Sequence, residues 1–147
     1  MTRLELAEKI QLIKAKKGLS WSAVAKKVGQ SRIWTAAALL GQMQMTPKQA
    51  RAAAKLLDLS KDEEFLLTTV PYKGSLPTAV PTDPLIYRFY ELVQVYGTTW
   101  KSVIEEEFGE GIMSAIDFTM ELERVPDPKG DRIKITLNGK FLPYKQY

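Results

Sequence analysis

The chain contains no cysteine and no histidine. Without cysteine there is no disulfide, no thiolate nucleophile and no soft metal ligand. Without histidine, Ser-His-Asp and Cys-His catalysis are excluded, and a zinc site would have to be built from carboxylates alone. Acid–base or anion chemistry is left to Arg, Lys, Glu, Asp, Ser, Thr and Tyr. Long apolar runs are also missing: none approaches the roughly 18 residues that span a bilayer. The opening MTRLELAEKI carries acids, whereas a secretory signal sets a basic start before an unbroken apolar run. Cytoplasmic residence, without membrane attachment, is the expectation.

What is present describes a globular protein. The 147 residues, 45% hydrophobic and 26% charged, suit one compact unit or two small ones. The net charge of +4 is uneven. Residues 1–70 hold 12 Lys/Arg against 6 Asp/Glu, a balance of +6, and residues 71–147 hold 9 against 11, a balance of −2. A basic half is compatible with nucleic acid, but a solvated, lysine-rich helical surface is the better account of it.

The first 70 residues read as a series of short helices. Thr2 and Glu5 form a capping-box pattern, followed at helical spacing by Leu4, Ala7 and Ile10. Gly18 closes that helix. Ser20 caps a second, ending at Gly29, and Ser31 a third, RIWTAAALL, ending at Gly41. Thr46-Pro47 opens a fourth, and Ser60 with Glu63 a fifth running toward Val70. Pro71, Pro77, Pro81 and Pro84 then rule out a helix or a central strand. The expected division is therefore a helical domain over 1–70, a linker over 71–83 and a second domain over 84–147.

In that second domain Asp83-Pro84 starts a helix that Gly97 should stop near Tyr96. Thr98 or Thr99 caps another, ending near Gly109. From Ile112 to Leu122 the apolar period shifts to two, as in a strand. Residues 126–131 make a turn, Ile133, Ile135 and Leu137 form a second strand, and Asn138-Gly139 is a tight-hairpin signal. The expected fold is mainly α with a small β part at the C-terminus.

Three residues stand out chemically. The helix from Pro84 is apolar around most of its circumference, which calls for burial, and so short a chain would need other subunits to bury it. Its only charges before Lys101 are Arg88 and Glu91, three apart and on one face. Their plain reading is an ion pair worth about 0.2–0.5 kcal/mol when exposed. Burying both charges costs several kcal/mol, so within an apolar setting a prepared anion site explains them better. Ser114 is the one polar residue on the strand face Ile112, Ile116, Phe118, Met120, Leu122, close after Gly109 and Gly111. Alone it reads as a serine bonded to neighbouring backbone.

Taken together, PTDPLIYRFYELVQVYGTTWK (81–101) and GEGIMSAIDF (109–118) resemble the cyanase, or cyanate hydratase, family. AAALLGQ (36–42) and ITLNGKFLPY (135–144) fit the same family, so the resemblance spans nearly the whole chain. By the family motif, Arg-x-x-Glu within YRFYE and Ser within GIMSAI place the catalytic residues at Arg88, Glu91 and Ser114. Some members carry a cysteine between the domains, which this chain lacks without loss of any catalytic position. The resemblance implies bicarbonate-dependent decomposition of cyanate to carbamate and carbon dioxide, with no metal or organic cofactor. It also implies a homodecamer of five dimers, with interlocked C-terminal strands and active sites shared between subunits.

A rival reading is a DNA-binding regulator, because helices at 20–28 and 31–40 have helix-turn-helix dimensions. The would-be recognition helix offers Arg32 and little else to read base edges. The family has such a helical N-terminal domain without using it on DNA, so no nucleic-acid partner is expected.

Overall fold

The computed structural model describes residues 1–145. It divides into two compact units, Met1–Ser75 and Leu76–Tyr147.

The first unit consists of α1 (Arg3–Lys16), α2 (Trp21–Val28), α3 (Arg32–Leu39), α4 (Pro47–Leu57) and α5 (Lys61–Leu67). Each starts where a side-chain oxygen can accept an otherwise unpaired helix N–H. Thr2, Ser20, Ser31, Thr46 and Ser60 all do so, and Thr2, Thr46 and Ser60 complete reciprocal capping boxes with Glu5, Gln49 and Glu63. The core is made of Leu6, Ile10, Val24, Leu39, Met45 and Leu57 with their neighbours. Ala50, Ala53 and Ala54 line the buried side of α4. The sequence spacing put Leu4 on the inner face of α1, but Leu4 is exposed and Leu6, Ala7 and Ile10 point inward.

Arg3 ties this unit together. Its guanidinium donates to the carbonyls of Leu66 (3.1 Å), Ala38 (3.2 Å) and Met43 (2.7 Å). These are the ends of α5 and α3 and the loop after α3, all far from Arg3 in sequence. Partial burial lowers the Arg3 pKa from its ordinary value by desolvation. The three carbonyls serve its two terminal nitrogens, while the buried Nε has no hydrogen-bond partner among the described residues.

The second unit is α6 (Pro84–Phe108), β1 (Gly111–Val125) and β2 (Arg132–Pro143). Asp83 caps α6 by accepting from the N–H groups of Leu85 and Ile86, both at 2.9 Å. Two expectations fail here. The helix does not stop at Gly97 but continues unbroken to Phe108. A glycine inside a helix costs about 1 kcal/mol relative to alanine, which 25 consecutive helical residues readily absorb. Nor does the chain turn at Asn138-Gly139, since both lie within β2, paired with Thr119 and Phe118.

The reversal lies at 126–131, where the sequence placed a turn. There Asp127 accepts from the N–H of Lys129 (2.9 Å) and from Nε of Arg132 (3.0 Å), an arrangement that locks an Asx-type turn. The backbone bond to Lys129, followed by Arg132, holds the Asp127 carboxyl below its ordinary pKa.

β1 and β2 form a two-stranded antiparallel ribbon. A lone ribbon of this kind is marginal in water. Among the described residues, every buried apolar side chain except Pro81 belongs to the first unit, and none in α6 is buried. The long helix was expected to be buried; within one chain it is not.

Candidate active site

The ribbon breaks register once. Met113 pairs with Phe141 and Phe118 with Gly139, so the four residues Ser114–Asp117 stand opposite the single residue Lys140. Such an enlarged bulge pushes one strand out of the ladder and re-aims its side chains. Ser114 holds the loop closed: its Oγ accepts from the N–H of Ile116 (3.1 Å) and of Asp117 (3.0 Å). Among the described residues it is the one buried polar residue of the second unit, at 6% exposure. Next to it Ile116 stands 98% exposed.

A serine hydroxyl has two acceptor lone pairs and one proton to give. Two backbone N–H groups occupy the acceptor side of Ser114, which leaves its O–H as a donor. That polarity suits an anion.

Arg88 and Glu91 occupy the second turn of α6. Nε of Arg88 lies 4.0 Å from Oε2 of Glu91, and the side chains are 64% and 53% exposed. The Arg88 guanidinium also lies over the Tyr87 ring, 5.9 Å from its centroid, within cation–π range. Among the described residues, no hydrogen bond or ion pair joins Ser114 to Arg88 or Glu91. One chain thus brings Arg88 and Glu91 together and leaves Ser114 apart. The buried, braced guanidinium expected from the sequence is absent from the single chain, because nothing among the described residues buries that face of α6.

Sequence reasoning missed Gly139. A β-carbon there would lie 2.4 Å from the Ser114 carbonyl oxygen and 2.5 Å from Cγ of Met113. The Asn-Gly pair reads as a turn in sequence, but the glycine is needed for the close approach of the bulge. No local pattern reveals that.

Two family models match in succession: "Cyanate hydratase, N-terminal" over residues 3–71 and "Cyanate lyase C-terminal domain" over residues 78–146. A cyanate hydratase of Methylibium petroleiphilum is 63% identical over 147 residues, all of both chains. One from Ralstonia pickettii is 62% identical over the same span. The chain belongs to the cyanate hydratase family. A crystal structure of cyanase from T. urticae superposes with a TM-score of 0.81 at 34% identity, covering 94% of this chain and 96% of that one. As a cyanate hydratase family member, the chain has the mainly helical fold with a small C-terminal sheet that the sequence led us to expect, with six helices in place of the seven read from it because α6 runs through Gly97. The DNA-binding alternative loses ground accordingly. In α3, Thr35, Ala38 and Leu39 are buried and Trp34 packs on the core. Among the described residues no helix is long and apolar enough to cross a membrane.

Proposed function

We propose that the protein is a cyanate hydratase that consumes bicarbonate as its second substrate. Full-length likeness to cyanate hydratases carries the activity. The donor-only hydroxyl of Ser114 is the structural observation that best supports the site.

The chemistry is that of two anions that must meet. Unit charges about 4 Å apart repel by roughly 1 kcal/mol in water and about 4 kcal/mol at an effective dielectric near 20. A bicarbonate oxygen attacks the cyanate carbon, giving a dianion. With one proton taken up, the bond between the bicarbonate carbon and the bridging oxygen breaks, releasing carbon dioxide and carbamate. Carbamate takes up a second proton and falls apart to ammonia and carbon dioxide.

Arg88 offsets the charge and grips oxygens in two places. Ser114 donates to a third oxygen, and Glu91 orients the guanidinium. Donors fixed in advance stabilise the dianion more than the separate substrates. Holding both reactants in line is worth on the order of 7–11 kcal/mol.

The single chain presents these groups apart, so the reading includes assembly. Exposed apolar residues run along α6 (Leu85, Val93, Val95) and both strands (Ile112, Ile133, Leu137), far more than a stable monomer leaves open. Copies of the chain cover these faces, as a homodecamer of five dimers with interlocked strands. There Arg88 and Glu91 of one subunit meet Ser114 of another. The reading carries with it the domain division at the proline-rich joint, cytoplasmic residence and a place in cyanate removal and nitrogen metabolism.

The test is ammonia release from cyanate by the purified protein, in carbonate-free buffer and with bicarbonate added. Release that requires bicarbonate is the expected result. Cyanate that persists in both buffers removes the activity.

A further inference from the structure

We propose that Gly139 is a positioning residue for Ser114, acting by the space it leaves rather than by its backbone freedom. The inference rests on the reading of Ser114 as an anion donor.

Glycine is usually required where φ is positive. The glycines with positive φ are Gly18, Gly29, Gly41, Gly74, Gly109 and Gly130, and Gly139 is not among them. Its conformation is one that any residue adopts in a strand, yet strand interiors disfavour glycine. The space explains the choice. A β-carbon at 139 would sit 2.4 Å from the carbonyl oxygen of Ser114, 2.5 Å from Met113 Cγ and 3.2 Å from Met113 Sδ. The methionine side chain can swing aside, but the carbonyl cannot. It belongs to the same peptide chain that the Ser114 hydroxyl ties to Ile116 and Asp117.

The bulge therefore rests on the bare backbone of β2 at Gly139. Any side chain there lifts the Ser114 peptide. Because Oγ is bonded to N–H groups within its own loop, the hydroxyl travels with that peptide. A displacement of about 1 Å in a reacting group can cost on the order of 100-fold in rate, although residue 139 itself touches no substrate.

The experiment compares G139A, S114A, the double variant and G139A with M113A. The readouts are kcat and KM for cyanate in bicarbonate, with sedimentation of the assembled enzyme. S114A is expected to lower kcat about 100-fold, and G139A by about 10- to 100-fold, both with assembly retained. The double variant is expected to be no slower than S114A, since displacing a missing hydroxyl costs nothing further. Trimming Met113 should leave G139A slow, because the clash with the Ser114 carbonyl remains.

A G139A enzyme with normal kcat overturns the proposal, as does a double variant whose loss is the product of the single losses. Should G139A fail to assemble alone, it is co-assembled as a minority with wild-type chains. Activity must then fall in proportion to its share, and unchanged activity per chain counts against the inference. Failure of the underlying reading looks different: S114A itself then keeps near-normal kcat.

Discussion

Arg88 and Glu91 stand three residues apart on α6 with Nε and Oε2 separated by 4.0 Å, the outer limit of an ion pair and too long for a hydrogen bond. Exposed pairs of this kind contribute little to stability. Arg88→Leu should therefore leave the fold and assembly intact while lowering kcat by about 10²–10³-fold, the scale for losing one preorganised donor to a developing oxyanion. Arg88→Lys keeps the charge but not the planar fork and should recover only part of that loss. Steady-state ammonia release checks both, and a folded Arg88→Leu enzyme with near-normal kcat removes Arg88 from the mechanism.

Glu91 acts through Arg88 in this account. Glu91→Gln should lower kcat by about tenfold or more, as misorientation of a binding group does. Adding it to Arg88→Leu should cost nothing further. A double variant much slower than Arg88→Leu would instead give Glu91 its own part in proton transfer.

Ile116 sits on the bulge, 98% exposed in the single chain. Covering an isoleucine is worth about 1.5–3 kcal/mol. If another copy covers it, Ile116→Asp should shift the sedimentation profile toward smaller species at equal concentration. An unchanged profile would show that this side chain lies outside the interface.

The N-terminal unit has its own acid sensitivity. Glu63 is buried, and its carboxyl pKa is lowered first by the hydrogen bond from Lys9 and then by the backbone bond at Ser60. A lowered folded-state pKa adds stability that is fully present above the unfolded value. It is lost as pH falls through the folded value. Thermal midpoints should thus drop on acidification below the ordinary carboxylate range. Glu63→Gln should lower the midpoint at neutral pH and flatten that dependence. A Glu63→Gln profile parallel to the wild type would show that other groups set the acid limit.

The helical unit was legible in the sequence because its signals are local. Thr2, Ser20, Ser31, Thr46 and Ser60 each announce a helix within the next three residues, and all five cap one. The second unit was less legible because its determinants are not local. Gly97 looks like a stop, yet α6 runs through it. The turn at 126–131 was legible, but Asn138-Gly139 looks like a further turn and instead lies within β2, where Gly139 answers to Ser114, 25 positions earlier in the chain. The candidate residues Arg88, Glu91 and Ser114 came from motif resemblance. Their spacing alone supports only an exposed ion pair and a backbone-bonded serine, which is what a single chain displays.

The shared site is tested most directly by complementation. Arg88→Leu and Ser114→Ala chains, each with a different tag, are dissociated, mixed and reassembled, and hybrids carrying both tags are assayed for bicarbonate-dependent ammonia release. If Arg88 and Ser114 of different subunits meet in one site, hybrids contain sites in which both residues are intact, and activity returns well above either parent. Hybrids that assemble but stay as inactive as their parents would contradict the account.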